Sequence, residues 1–138
     1  MQFIRSLIAF IAILASASPA LSALKVVTTL PDYGAMIKSL GGNHVQVRIL
    51  ASPLEDPHYV EAKPSFIIAL NRADLLISNG LEQEVGWLPP LLVQARNPKI
   101  QPGQPGHLEV AQFISQRLDV PQGQIDRSMG DIHAAGNP

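Results

Sequence analysis

The feature that most restricts the fold is a repeated change of hydrophobic period. Leu24 to Leu30, LKVVTTL, is apolar and β-branched, which suits a buried strand. The chain continues PDYGAMIKSLGG. Pro31 fits a first helical position, Tyr33, Met36, Ile37 and Leu40 fall at helical spacing, and Gly41-Gly42 supply a stop. HVQVRIL then alternates, with Val45, Val47 and Ile49 on one face and Gln46 and Arg48 on the other, which predicts a second strand. Pro53 and Pro57 keep the next segment out of helix and central strand. Pro64 opens a predicted helix through Phe66, Ile67, Leu70 and Ala73. Asp74 to Ser78, DLLIS, reads as a short apolar strand closed by Asn79-Gly80. Alternation of strand and helix in this order predicts an α/β fold, a parallel sheet with flanking helices.

The second half carries weaker signals. EVGWLPPLLVQARN has helical character, and Pro89-Pro90 inside it would end one helix or start another. Gln101 to Gly106, QPGQPG, is a loop. HLEVAQFISQRLDV sets Leu108, Ala111 and Ser115 on one line with Val110, Phe113, Ile114 and Leu118 nearby, so an amphipathic helix is predicted from His107. The tail, PQGQIDRSMGDIHAAGNP, is turn-rich and shows no period.

A chain of 138 residues has room for one domain. Residues 1–23 are set apart from it. Arg5 precedes an apolar run from Leu7 to Ala15, followed by small residues ending in Leu21-Ser22-Ala23, the pattern of a secretory signal peptide. No second apolar segment of about 20 residues follows, so stable membrane insertion is not expected once that peptide is removed. Removal after Ala23 leaves a soluble exported chain of about 115 residues, enough to bury a real core. The sequence has no cysteine, so it uses no disulfide and offers no thiol for a lipid anchor; free residence in the periplasm is the expectation. Ten Lys and Arg against eleven Asp and Glu nearly cancel, and no basic run or aromatic platform occurs, which argues against nucleic acid and membrane surfaces as partners.

Motifs for catalysis are missing: there is no G-x-S-x-G, P-loop or G-x-G-x-x-G, and cysteine nucleophiles are excluded. Glu82 and Glu84 sit just past a predicted strand end, where α/β proteins keep their sites, but two glutamates near a turn read first as solvated charges. The four histidines are His44, His58, His107 and His133, and none pairs with another at three- or four-residue spacing. A metal site would therefore be assembled from distant loops. His44 begins a strand and reads as a surface residue, while His107 reads as a helix cap or an exposed side chain. His58 is better placed. It follows a strand, Pro57 limits the backbone before it, and Glu55, Asp56 and Glu61 are close enough in sequence to orient its ring.

Four stretches carry a resemblance: KVVTTLPDYGAMIKSLGG, DPHYVEAKPS, ADLLISNGLEQEVGWLPPLL and GDIHAAGNP. In this order and at these separations the chain resembles the N-terminal half of the periplasmic solute-binding proteins of metal ABC transporters, the zinc/manganese cluster. The resemblance implies a single Rossmann-like lobe over residues 24–138, the first lobe of a two-lobed metal receptor. It also implies that the histidine of the D-P-H-x-x-E motif, His58 here, is a metal ligand. The cargo it implies is a divalent transition metal, zinc favoured over manganese, and the partner a membrane permease. A second family histidine belongs to an N-P-H motif; here the chain reads GNP and ends at Pro138, so an incomplete receptor is expected. His133 is off that motif position and reads as exposed. The linking helix, the second lobe and a His-rich acidic loop are not present in this sequence. Two rival readings remain open. One is an adhesion-type or protein-interaction homologue that does not transport metal. The other is a periplasmic metal-dependent hydrolase using Glu61 or Glu84 as base.

Overall fold

The computed structural model describes residues 22–115. The apolar run from Leu7, the predicted helix beyond Ser115, and His133 lie outside them. Strands β1 (Leu24–Thr28), β2 (Val45–Ile49), β3 (Leu75–Ser78) and β4 (His107–Glu109) form one sheet in the order β2-β1-β3-β4. Every adjacent pair is parallel, with Val26 opposite Val47 and Leu75, and Leu76 opposite His107. The helices are α1 (Pro31–Gly41), α2 (Pro64–Asn71) and α3 (Leu88–Ala95). This is the α/β lobe that the sequence pattern predicts.

Each helix starts with proline in its first turn and has no side-chain cap. Proline's missing N–H is one of the donors that a helix start leaves unpaired anyway, and its fixed φ is already helical. Pro89-Pro90 therefore begin a helix rather than end one. In α1, Asp32 in the first turn and Lys38 in the last complement the helix dipole.

Strand alternation divides the interior. Val27 and Leu76 belong to the main core with Phe66 and Leu70 of α2 and Leu91, Leu92 and Ala95 of α3. Burying each such side chain contributes roughly 1.5–3 kcal/mol. On the other face, α1 lies so close to the sheet that a Cβ on Gly34 would stand 2.5 Å from Ile49 Cγ1. Asn97 joins the layers behind α2: its Nδ2 donates to the carbonyls of Leu70 (2.9 Å) and Ala73 (2.8 Å), and its Oδ1 accepts from the Lys99 N–H.

The helix predicted from His107 is not formed over the described residues. His107–Glu109 is instead strand β4, followed by a 3₁₀ turn at Val110–Phe113. The open edge of β3 supplies unpaired backbone groups, and HLE satisfies them; the Leu76 N–H also donates to Gly106 O at 2.8 Å. Ladder pairing outweighs a helical apolar spacing whose partners lie elsewhere. No helix among the described residues is long and apolar enough to cross a membrane.

Candidate metal centre

In a parallel sheet ordered β2-β1-β3-β4 the connections diverge between β1 and β3, and the crevice lies outside the carboxyl ends of those strands. The ends are bound together there by Glu84. Its Oε1 accepts from Thr29 Oγ1 (2.6 Å) and the Asn79 N–H (2.8 Å), and its Oε2 accepts from the Gly80 N–H (3.0 Å). Glu84 is 4% exposed. Burial pushes its carboxyl up, and the three donors oppose that. Tyr33 adds a hydrogen bond across the same crevice, its hydroxyl donating to Asn79 Oδ1 at 2.7 Å. The expectation that Glu82 and Glu84 are solvated is thus corrected: both are buried. Glu84 is a structural acceptor whose oxygens are committed to three donors, which leaves it poorly suited to act as a general base.

His58 comes from the loop after β2, and that loop is built rather than loose. Glu55 accepts from the Ser52 N–H (3.1 Å) and the Glu61 N–H (3.2 Å), and these donors, Ser52 first, hold its carboxyl below the usual range. Val60 anchors the loop in the core at 3% exposure. Asp56 Oδ1 accepts from the His58 N–H and lies 2.9 Å from His58 Nδ1. A carboxylate at Nδ1 favours the tautomer that carries its proton there and places the ring's lone pair on Nε2, the arrangement that metal-binding histidines use. His58 is buried beside the half-exposed Asp56. Glu61 points its backbone N–H into this loop, while its side chain is exposed.

The loop that carries Glu82 adjoins the His58 loop. Trp87, itself buried, donates its indole N–H to the Pro57 carbonyl at 2.9 Å, one residue before His58. Gly80 and Leu81 both take left-handed backbone, φ 83° and 56°, and turn the chain inward ahead of Glu82. Left-handed backbone is routine for glycine but costs a leucine free energy. Glu82 is 6% exposed under a shallow cover, and its Oε1 has no hydrogen-bond partner among the described residues. Burial pushes its carboxyl up, and the charge of a protonated His58 opposes that. Leaving such an acceptor bare costs about 1–3 kcal/mol. Sequence reading notes this residue just past a strand end but takes it for a solvated charge; the turn signal Asn79-Gly80 just before it is the available hint that the chain bends back inward there.

The other histidines lie apart. His44 is exposed in the 3₁₀ turn before β2. His107 is neither a helix cap nor fully exposed: its Nε2 lies 2.9 Å from Ser78 Oγ, and its Nδ1 is buried without a partner among the described residues. Ser78 and His107 have the spacing of a nucleophile and base, yet Ser78 is 1% exposed within the ladder, which closes it to a substrate. Among the described residues no group of three or more metal-ligating side chains is placed to hold an ion.

A parallel sheet with helices packed on it, and an oriented histidine on a loop at its carboxyl edge, define one lobe of a metal solute-binding receptor. The chain matches the family described as zinc-uptake complex component A, periplasmic, over residues 26–136, and it belongs to that family. Members of it are binding components of transporters rather than enzymes. A metal ABC transporter substrate-binding lipoprotein of Streptococcus parasanguinis is 31% identical over 83 residues, covering 58% of this chain and 27% of that protein. The periplasmic zinc-binding protein TroA of Treponema pallidum superposes with a TM-score of 0.55 at 27% identity, over 75% of this chain and 35% of TroA. A zinc-bound deletion mutant of ZnuA gives 0.56 at 26% identity, over 72% of this chain and 35% of that one. The chain spans 22 and 27% of the length of two curated relatives it matches. It corresponds to one lobe of those two-lobed receptors.

Proposed function

We propose that this chain is the His58-bearing lobe of a periplasmic receptor that captures a divalent transition metal and delivers it to an ABC permease. Residues 1–23 direct export, and residues 24–138 form the first lobe. The observation that carries the reading is the His58 ring, buried and oriented through Nδ1 by Asp56 at the carboxyl edge of the sheet. Family membership and the zinc-bound relative support it.

Capture needs no covalent chemistry. Neutral His58 donates the Nε2 lone pair to the cation, Asp56 keeps the ring from turning, and further donors complete the shell. Zinc is favoured over manganese because imidazole binds it more strongly along the divalent series. Release follows when the donors separate.

The test is a calorimetric zinc titration of the full-length gene product beside His58→Ala. One equivalent should bind to the wild type, and the substitution should weaken binding by at least about 100-fold, as expected when a ligand rather than its support is lost. Equal affinity in the two proteins would refute the role of His58 and favour the interaction-protein reading.

A further inference from the structure

The loop after β3 holds two carboxylates with opposite surroundings. Glu84 has three donors, while Glu82, two residues earlier and almost as buried, has an oxygen with none among the described residues. An apolar side chain would fill this place without the penalty of a bare acceptor. The sequence keeps an acid instead, on a loop whose Leu81 is held in left-handed backbone.

Resting on the assignment of His58 as a ligand, we infer that Glu82 is a second metal-binding residue, its buried carboxylate meeting the same cation as His58. One contact brings the two loops together: the Trp87 indole, at the end of the Glu82 loop, donates to the carbonyl of Pro57, the residue before His58. A divalent cation lodged between them neutralises the carboxylate and satisfies the bare oxygen, so the cost of burying Glu82 is recovered only in the loaded state. One imidazole nitrogen and one carboxylate oxygen suit zinc and manganese and disfavour soft Cu(I), which prefers sulfur. Glu82 thereby contributes to which metal the lobe accepts.

The experiment uses the full-length gene product as wild type, Glu82→Gln, Glu82→His and His58→Ala. Zinc affinity, thermal melting with and without zinc, and the visible spectrum of the cobalt(II) form are measured. Metal-free Glu82→Gln should melt at or above the wild type. It should bind zinc at least about tenfold more weakly and alter the cobalt bands, since even outer-shell losses cost 10–100-fold. Glu82→His should recover most of the affinity with a shifted spectrum. Glu82→Gln binding within about twofold of wild type, with His58→Ala deficient, overturns the role of Glu82 and leaves the receptor reading intact. A lowered metal-free melting temperature with an unchanged zinc-induced shift assigns Glu82 to structure and also overturns it. Intact zinc binding in His58→Ala removes the underlying reading first.

Discussion

Glu84→Ala is the perturbation whose consequence follows most directly from the geometry. The carboxylate is 4% exposed and holds Thr29 at the end of β1 and Asn79 and Gly80 at the end of β3. Truncation strands two backbone N–H groups in a region that water scarcely reaches, while the Thr29 hydroxyl can rotate toward another acceptor. Hydrogen bonds to a charged group contribute about 1.5–3 kcal/mol each, so three of them set a gross loss of roughly 5–9 kcal/mol. Against that stands the relief of no longer burying a carboxylate, whose cost is visible in its raised pKa. A net loss of about 4 kcal/mol is a fair balance, a large share of the 5–15 kcal/mol that holds a typical domain. In urea, with a slope of about 2 kcal/mol/M, the unfolding midpoint should fall by about 2 M. Glu84→Gln keeps one oxygen for Thr29 and Asn79 and sets an amide N–H against that of Gly80, so it should lose roughly half as much. An alanine variant within about 1 kcal/mol of wild type, or a glutamine variant less stable than alanine, would refute the reasoning.

Two further perturbations test other parts of the lobe, beside the titrations of His58 and Glu82 described above. Asn97→Asp is nearly isosteric but turns a double donor into an acceptor facing the Leu70 and Ala73 carbonyls, and should cost about 3 kcal/mol or more by denaturant melting; an unchanged midpoint would show that this amide does not hold α2 to the segment after α3. His107 gives a pH signature. Burial holds its imidazole below the ordinary value of 6.5, with the Glu109 charge working the other way. The unfolded chain takes up this proton first as pH falls. The stability that His107 contributes is therefore full above pH 6.5 and declines as pH drops toward the depressed folded value. The stability difference between wild type and His107→Gln should shrink from about pH 7 to about pH 5, and a flat difference would contradict it.

The order β1-α1-β2-α2-β3 was legible in the sequence because each element carries its own local signal. Val45, Val47 and Ile49 alternate, Pro31 and Pro64 can only begin helices, and Gly42 ends α1 at φ 50°. That a nearby acid would orient His58 was legible too, but the choice of Asp56 among Glu55, Asp56 and Glu61 came from the folded loop. Distance in sequence is where this information stops. HLEVAQF carries apolar spacing compatible with a helix, and its first three residues become β4 because the edge of β3 happens to lie beside them, 29 residues away along the chain at the Ser78–His107 contact. Glu82 and Glu84 look alike in the string NGLEQE. Only the meeting of β1 and β3 gives Glu84 its donors, and only the Trp87–Pro57 contact draws the Glu82 loop to His58. Local backbone preference and hydrophobic period act over a few residues, so they determine which elements form; whether a buried charge is satisfied depends on groups brought together from distant segments, and that the tertiary fold alone decides.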